Sequence, residues 1–330
     1  MKTMSRSPGA EPVPGEIPAG HRVVAHPIVS FIPVVVLVIA VVAACLFVPG
    51  FRNVRNILNI AFQTSGTGLM AIGLTAVLIS GGIDLSLPAV MALSGILGAM
   101  FMSKGGNPII GVLIMLLTGT AWGAVNGFAV ARLKMIPFVV TLSTMVIATG
   151  TSVWVTNATS VGGLPNSFVD TVTARLVGVP VPVFLLFIVV VLAQVLMTRS
   201  LYGRWLYAMG KNAKTARVSG IPTDLVTFGC YVLSGFMAGL AAMVFTARLM
   251  SASASMGREN VVLDIISSAV VGGVSIYGGK GSPLGAVLGA LFITSITNSM
   301  NLSNVSYFTT LLIKGIIIIV AVGLDSLRRR

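Results

Sequence analysis

The feature that most constrains this sequence is the separation of charge from long apolar runs. From residue 28 to residue 324, apolar stretches approaching 20 residues follow one another, and most charged residues fall in the short gaps between them. A helix needs about 20 apolar residues to cross the ~30 Å hydrocarbon core of a bilayer. Inside that core the backbone must satisfy its own hydrogen bonds, which leaves helices and closed barrels. Barrel strands alternate polar and apolar residues, whereas these runs are uniformly apolar. The sequence therefore specifies an all-α polytopic membrane protein. Composition agrees: 9% of the 330 residues are charged, against about 25% in soluble domains, and the mean hydropathy is +1.00.

Ten transmembrane helices are expected, at about 28–48, 58–80, 88–102, 108–131, 137–157, 181–197, 225–247, 262–276, 284–300 and 307–324. The third and eighth are short, so either is a candidate re-entrant segment. A longer loop is expected over 158–179. Residues 1–27 carry five prolines and no apolar core, and read as a disordered cytoplasmic tail rather than a cleavable leader. Residues 28–325 form the membrane domain, and 326–330 a basic cytoplasmic C-terminus. With both termini inside, fourteen of the 21 Lys and Arg fall on the inner side and six on the outer side, the bias that cytoplasmic loops carry. The net charge of +13 is thus spent on orientation and excludes a nucleic-acid partner; the bilayer lipid is the surrounding medium. His21 and His26 both lie in the tail, which removes a buried histidine ligand or proton relay. Cys45 and Cys230 lie in apolar runs and form no disulfide or metal pattern. No metal site is expected.

Glycines recur every four residues at 119, 123 and 127, at 235 and 239, and at 281, 285 and 289. Such rows let helix backbones approach closely in lipid, within one chain or at a dimer seam. A faint internal echo pairs Gly81-Gly82, followed by SLPAVMALSGILGAMF, with Gly272-Gly273, followed by SPLGAVLGALF.

The chain has eight acids, and two of them border or enter apolar runs. Asp84 follows Gly81-Gly82 and precedes Ser86 and Pro88, which suggests a broken turn whose carboxylate caps the following helix; direct participation in gating is the competing reading. Asp264 reads as a cap on the eighth span. Lys314, near the middle of the last span, either snorkels or pairs with Asp264 or Asp84. Asn298, Asn301 and Asn304 are expected to form one polar helical edge. With Asn126, Thr141 and Ser143 they are candidates to line a path for a polyol, whose hydroxyls donate and accept; hydrogen bonding between helices is the alternative. GGVSIYGGKGS superficially resembles a phosphate loop. However, Gly281 stands where Ser or Thr is required and Val274 where Gly is required. No catalytic set is present, and the chain is not expected to hydrolyse ATP.

One polar stretch stands apart. Residues 199–222, RSLYGRWLYAMGKNAKTARVSGIP, carry Arg199, Arg204, Lys211, Lys214 and Arg217 with no acid. Tyr202, Trp205, Leu206, Met209 and Ala213 recur at helical spacing, and Gly210 and Gly220 punctuate the pattern. The stretch reads as a short amphipathic helical hairpin on the cytoplasmic surface that receives a partner, or as a solvated basic loop that only fixes orientation.

It also resembles the cytoplasmic coupling segment of sugar-type ABC importer permeases, the ribose permease class. That pattern reads G-R-x-x-Y-A-x-G-x-N followed by A-x-x-x-G-I. Here it falls on Gly203, Arg204, Tyr207, Ala208, Gly210, Asn212, Ala216, Gly220 and Ile221. SGGIDLSLPAVMALSG is similar to the family's GGIDLS-x-G stretch, with Pro88 in place of a glycine. LDIISSAVVGGVSIYGGKGSPLGAVLGAL and NGFAVARLKMIPFVVTL extend the likeness over roughly 28–325.

The resemblance implies a type II importer-like permease fold, and a pathway for a monosaccharide or polyol driven by alternating access. It further implies a cytosolic ATPase subunit that uses ATP and Mg and docks on residues 201–222, and a periplasmic sugar-binding protein at the outer loops with Arg52, Arg55, Arg175 and Arg258. A second permease copy or paralogue completes the pore, and the chain sits in the bacterial inner membrane. Asp84, Ser86, Asn126, Thr141, Asp264, Asn298, Asn301 and Lys314 are the candidate pathway residues. From the residues alone, an ion-coupled secondary transporter and a membrane scaffold are the competing classes.

Overall fold

The computed structural model describes residues 28–327. The expected tail over 1–27 and the three terminal arginines lie outside the described residues. Each of the ten expected spans coincides with one helix. They are α1 (Ile28–Phe47), α2 (Val54–Ile79), α3 (Leu87–Ser103), α4 (Pro108–Ala131), α5 (Pro137–Thr156), α7 (Val181–Arg199), α10 (Thr223–Leu249), α11 (Glu259–Val271), α12 (Pro283–Leu302) and α13 (Tyr307–Leu327). Among the described residues, six helices are long and apolar enough to cross a membrane. At 13 residues, α11 is only about 20 Å long, so it spans only part of the hydrocarbon core by itself.

The centre of the bundle is α2. Every residue from Thr64 to Ile79 is buried, and α10, α12, α7 and α11 pack around it. Two flanks complete the molecule: α3, α4 and α5 assemble beside α10, while α13 packs on α11 and α1 on α12. Small and hydroxylated residues make this possible. Gly73 sits against the Ser234 backbone of α10, and the hydroxyls of Ser65 and Thr75 bond to the carbonyls of Ala61 and Ala71 one turn back, which satisfies them without a partner helix.

The glycine rows are interhelical seams within the chain. A Cβ on Gly119 or Gly123 would collide with the carbonyls of Gly235 or Tyr231, and one on Gly235 with that of Gly119. Likewise Gly285 faces Gly272, and Gly289 faces Ser268. Gly281 is not part of that row, because α12 begins only at Pro283.

The internal echo is a repeated local structure. After α2, Ser80, Gly81 and Gly82 donate to the carbonyls of Ala76, Leu78 and Val77; after α11, Gly272, Gly273 and Val274 donate to those of Ser268, Val270 and Ala269. Gly81 and Gly273 both adopt the left-handed conformation, at φ +84° and +87°. Each helix thus ends in the same glycine-dependent cap, and each is followed by a helix with proline in its first turn.

Two expectations change. The 158–179 loop is partly ordered, with a helix α6 (Asn166–Thr173) whose Phe168, Val169 and Val172 are buried. A two-stranded hairpin, β1 (Arg175–Leu176) and β2 (Val179–Pro180), follows it. Asp264 does not cap α11: that helix begins at Glu259, so Asp264 lies more than a turn inside it.

The close approach of α4 to α10 should be the steric weak point. Gly123→Leu should lower stability by about 1–3 kcal/mol or more through overpacking, read as a lower unfolding midpoint in detergent. Gly315→Ala, where the Cβ meets open space, should leave the midpoint unchanged or raise it.

Candidate functional site

The basic segment folds as two short helices on one end of the bundle, α8 (Leu201–Lys211) and α9 (Ala213–Val218). The turn from α7 into α8 spans the single residue Ser200, whose Oγ accepts the Gly203 amide at 3.0 Å. Gly203 packs against the Met197 carbonyl, leaving no room for a Cβ. Asn212 separates the helices and caps α9 by accepting the Thr215 amide. Gly220, at φ +81°, ends the segment, and Ile221 donates to the Ala216 carbonyl. Gly210 does not punctuate the pattern, as its sequence suggested; it lies inside α8.

The reason for Gly210 is its seat. Its Cα faces the Ile79 carbonyl at the end of α2 and the Gly279 backbone, and a Cβ would overlap both. The same Ile79 carbonyl accepts the Gly279 amide at 2.9 Å. One turn earlier, Tyr207 donates its hydroxyl to the Gly281 carbonyl at 2.7 Å. Tyr202 donates to the Val226 carbonyl of α10 at 3.0 Å. Burial pushes both phenols above their ordinary range, so each remains a neutral donor. Leu206 and Met209 are buried beneath α8, and Ala216 beneath α9. Arg204, Lys211, Lys214 and Gly220 are exposed, and Val218 is 90% exposed. The segment therefore has an anchored inner face and a basic outer face from which Val218 and, less fully, Leu201 protrude.

From Ile79 the chain runs directly into a buried polar cluster. Asp84 accepts from the Ser86 amide at 3.0 Å and the Ser86 hydroxyl at 2.6 Å, and its other oxygen accepts from Ser234 of α10 at 2.7 Å. Asn126 of α4 donates to Ser86 Oγ at 2.9 Å, and Tyr231 of α10 to the Ile83 carbonyl at 3.1 Å. Ser86 itself occupies the N-cap position of α3, without a side-chain bond to the helix. The Asp84 carboxylate thus holds the α2–α3 break to α10 instead of capping the first turn of α3.

Lys314, 5% exposed, pairs with Asp264 at 2.8 Å, which joins α13 to α11. Asn298 and Asn56 exchange side-chain hydrogen bonds at 2.8 and 2.9 Å, so Asn298 joins α12 to α2. The expected asparagine edge is shorter than its spacing suggested: Asn301 is exposed near the end of α12, and Asn304 lies beyond it in the left-handed conformation. Thr141 is buried and bonded to the Pro137 carbonyl, whereas Ser143 is exposed.

A cavity of about 760 Å³ lies between α5, a 3₁₀ turn (Ala254–Gly257) and the first turns of α11 and α13. Met145, Val146, Thr149 and Gly150 of α5 form one wall, and Arg258, Asn260, Leu263, Tyr307 and Leu311 the other. None of the candidate pathway residues is on this wall. In sequence, Asp264 adjoins the lining Leu263, and Thr141 and Lys314 lie one turn from the lining Met145 and Leu311. The lining is mostly apolar and scattered over four elements, so no local pattern marks it in the sequence.

These elements form a multi-pass helical bundle with a basic helical pair seated on its central helix. The family profile described as "Branched-chain amino acid transport system / permease component" matches residues 56–322. The ribose import permease protein of Bacillus subtilis (strain 168) is 37% identical over 295 residues, covering 89% of this chain and 91% of the relative. The D-allose transport system permease protein of Escherichia coli (strain K12) is 39% identical over 280 residues, covering 84% and 85%. The L-arabinose transport system permease protein of the same strain is 32% identical over 298 residues, covering 90% of each. No solved structure matches. The chain belongs to this family of transport-system permease components and is a transport subunit of the inner membrane.

The Asp264–Lys314 pair gives a direct test of the α11–α13 contact. Lys314→Met strands a mostly buried carboxylate and should cost about 3 kcal/mol or more. Combining it with Asp264→Leu should recover most of that loss, read from unfolding midpoints in lipid nanodiscs.

Proposed function

We propose that the chain is the membrane-spanning subunit of an ATP-binding-cassette importer for a monosaccharide or related polyol. The observation that carries this reading is the seat of α8, where Gly210 and Tyr207 tie a polar surface helix to the end of α2 and to the 278–281 backbone. A basic loop that only fixed orientation would not need backbone contacts that exclude a Cβ. The fixed inner face and the exposed Arg204, Lys214 and Val218 suit a segment that takes up force from a docked protein.

In this reading the segment faces the cytoplasm, with both termini on the same side. A cytosolic ATPase docks on residues 201–222 and uses ATP and Mg. A periplasmic binding protein delivers the sugar at the opposite end, where Arg52, Arg55, Arg175 and Arg258 offer cations to acidic groups on it, an attraction that salt weakens. Two copies of the chain form the pore, with the cavity beside α5 contributing half of the passage. Closure of the ATPase dimer displaces α8, and the seat passes that displacement to α2 and the Asp84 cluster, so the bundle rocks between inward and outward openings.

An autonomous ion-coupled carrier fits the buried groups less well. Asp84 is held by three donors from Ser86 and Ser234, and Asp264 is paired with Lys314, which leaves these carboxylates little freedom to bind and release an ion. The relatives favour a sugar over the amino acid of the family description, and the partner binding protein, screened against both classes, distinguishes them.

The test is purification of the tagged chain in detergent, with identification of co-purifying proteins and assay of ATP hydrolysis. An ATP-hydrolysing partner should be recovered with the wild type and lost with Arg204→Glu, while membrane insertion is retained. Sugar uptake should be abolished in Arg204→Glu and in Gly210→Trp. Normal uptake in either variant, or uptake by the reconstituted chain alone, would overturn this reading.

A further inference from the structure

A second connection leaves the surface segment, and it leads to a different helix. Arg217, in the last turn of α9, reaches Asp224 at 2.7 Å and also donates to the Thr223 hydroxyl at 3.0 and 3.2 Å. The same Asp224 oxygen accepts from Lys134 at 2.5 Å. Lys134 lies in the short link between α4 and α5, in the left-handed conformation at φ +57°, and also donates to the Ala131 carbonyl. Asp224 stands in the first turn of α10, where the helix dipole favours a carboxylate. One carboxylate oxygen therefore clasps α9 to the short link that leads from α4 into α5.

Packing links α9 to α5 only indirectly, through α10 and α4. α9 packs on α8 and α10, whereas α5 packs on α3, α4 and the 3₁₀ turn. Yet α5 is the helix whose Met145, Val146, Thr149 and Gly150 form one wall of the cavity. Folding stability does not account for the clasp either: the Lys134 and Arg217 side chains are 52% and 61% exposed, and exposed ion pairs contribute little to stability. The left-handed backbone at Lys134 is an uncommon conformation for a residue with a side chain, and here it brings the ammonium to Asp224.

We propose that Asp224 is a positioning residue for transport: the Arg217–Asp224–Lys134 clasp transmits displacement of α9 to α5 and so to the cavity wall. This rests on the reading that the 201–222 segment receives the ATPase. Two outputs then leave the segment, α8 acting on α2 and the Asp84 cluster, and α9 acting on α5 through a bond that breaks without unfolding the protein.

The experiment uses the complex of this chain with its co-purified ATPase in nanodiscs, with an environment-sensitive fluorophore on a cysteine replacing the exposed Val146. The readout is the spectral change on trapping with ATP and vanadate. Asp224→Asn should keep the wild-type unfolding midpoint and ATP hydrolysis, yet reduce the change at position 146 by about fivefold or more, the lower end of ordinary allosteric coupling. Asp224→Glu should restore it. Lys134→Met, outside the docking segment, should show the same loss even if Asp224→Asn weakens ATPase binding. A full response in Lys134→Met, with ATP hydrolysis intact, would overturn the clasp alone. A wild-type complex containing no ATPase would overturn the reading beneath it, and the clasp with it.

Discussion

The contact between Gly210 and the end of α2 fixes the surface segment on the bundle. The surface helix α8 is held by its buried Leu206 and Met209 and by backbone approach: the Ile79 carbonyl, the Gly279 amide and the Gly210 Cα occupy a space that no Cβ can enter. The glycine cap after α2 frees the chain to turn beneath α8. The matching cap after α11 does the same for the 278–281 loop, which closes the seat from the other side. The two halves of the internal repeat thus meet at the point where the surface segment rests.

Below the seat, close backbone approach and side-chain hydrogen bonds between helices carry the displacement into the bundle. Hydrophobic burial gives no advantage for helix association in lipid, so close contact and hydrogen bonds must provide it. The chain uses both. Glycine seams join α4 to α10 and α11 to α12. Side-chain bonds join α2 to α12 through Asn56 and Asn298, α3 to α4 and α10 through Ser86 and Asp84, and α11 to α13 through Asp264 and Lys314. Each polar bond lies between elements, which is why removing one member is costlier than removing both.

Much of this is legible in the sequence, because the bilayer imposes simple rules. Apolar run length located a helix near each of the ten expected spans, with the eighth shifted to Glu259–Val271, and glycine spacing marked the faces of α4 and α10 without saying that they meet. The apolar spacing of Tyr202, Trp205, Leu206 and Met209 follows the inner face of α8, whereas Ala213, in the same series, is exposed at the start of α9. Partnering was less legible. Sequence position puts Lys314 within an apolar run and Asp84 at the border of one, but the register between distant helices decides that Lys314 meets Asp264 and that Asp84 meets Ser234. The asparagine edge misled because a three-residue period says nothing about where α12 stops. Gly210 looked like punctuation because a glycine needed for close approach and one needed for a turn are the same letter. The cavity left no signal, since its lining comes from four elements and is mostly apolar.

In the proposed cycle α8 and α9 move as one body with the 278–281 loop and the end of α2. The most direct measurement is the distance between spin labels at the exposed Val218 and Lys280, taken in the ATPase complex without nucleotide and trapped with ATP and vanadate. A second pair across the cavity, at Val146 and Phe308, reports that the cycle is running. The account predicts one unchanged Val218–Lys280 distance while the cavity pair shifts. A Val218–Lys280 distance that changes with nucleotide would mean that the surface segment slides over the bundle, and would contradict the seat as the point where force enters.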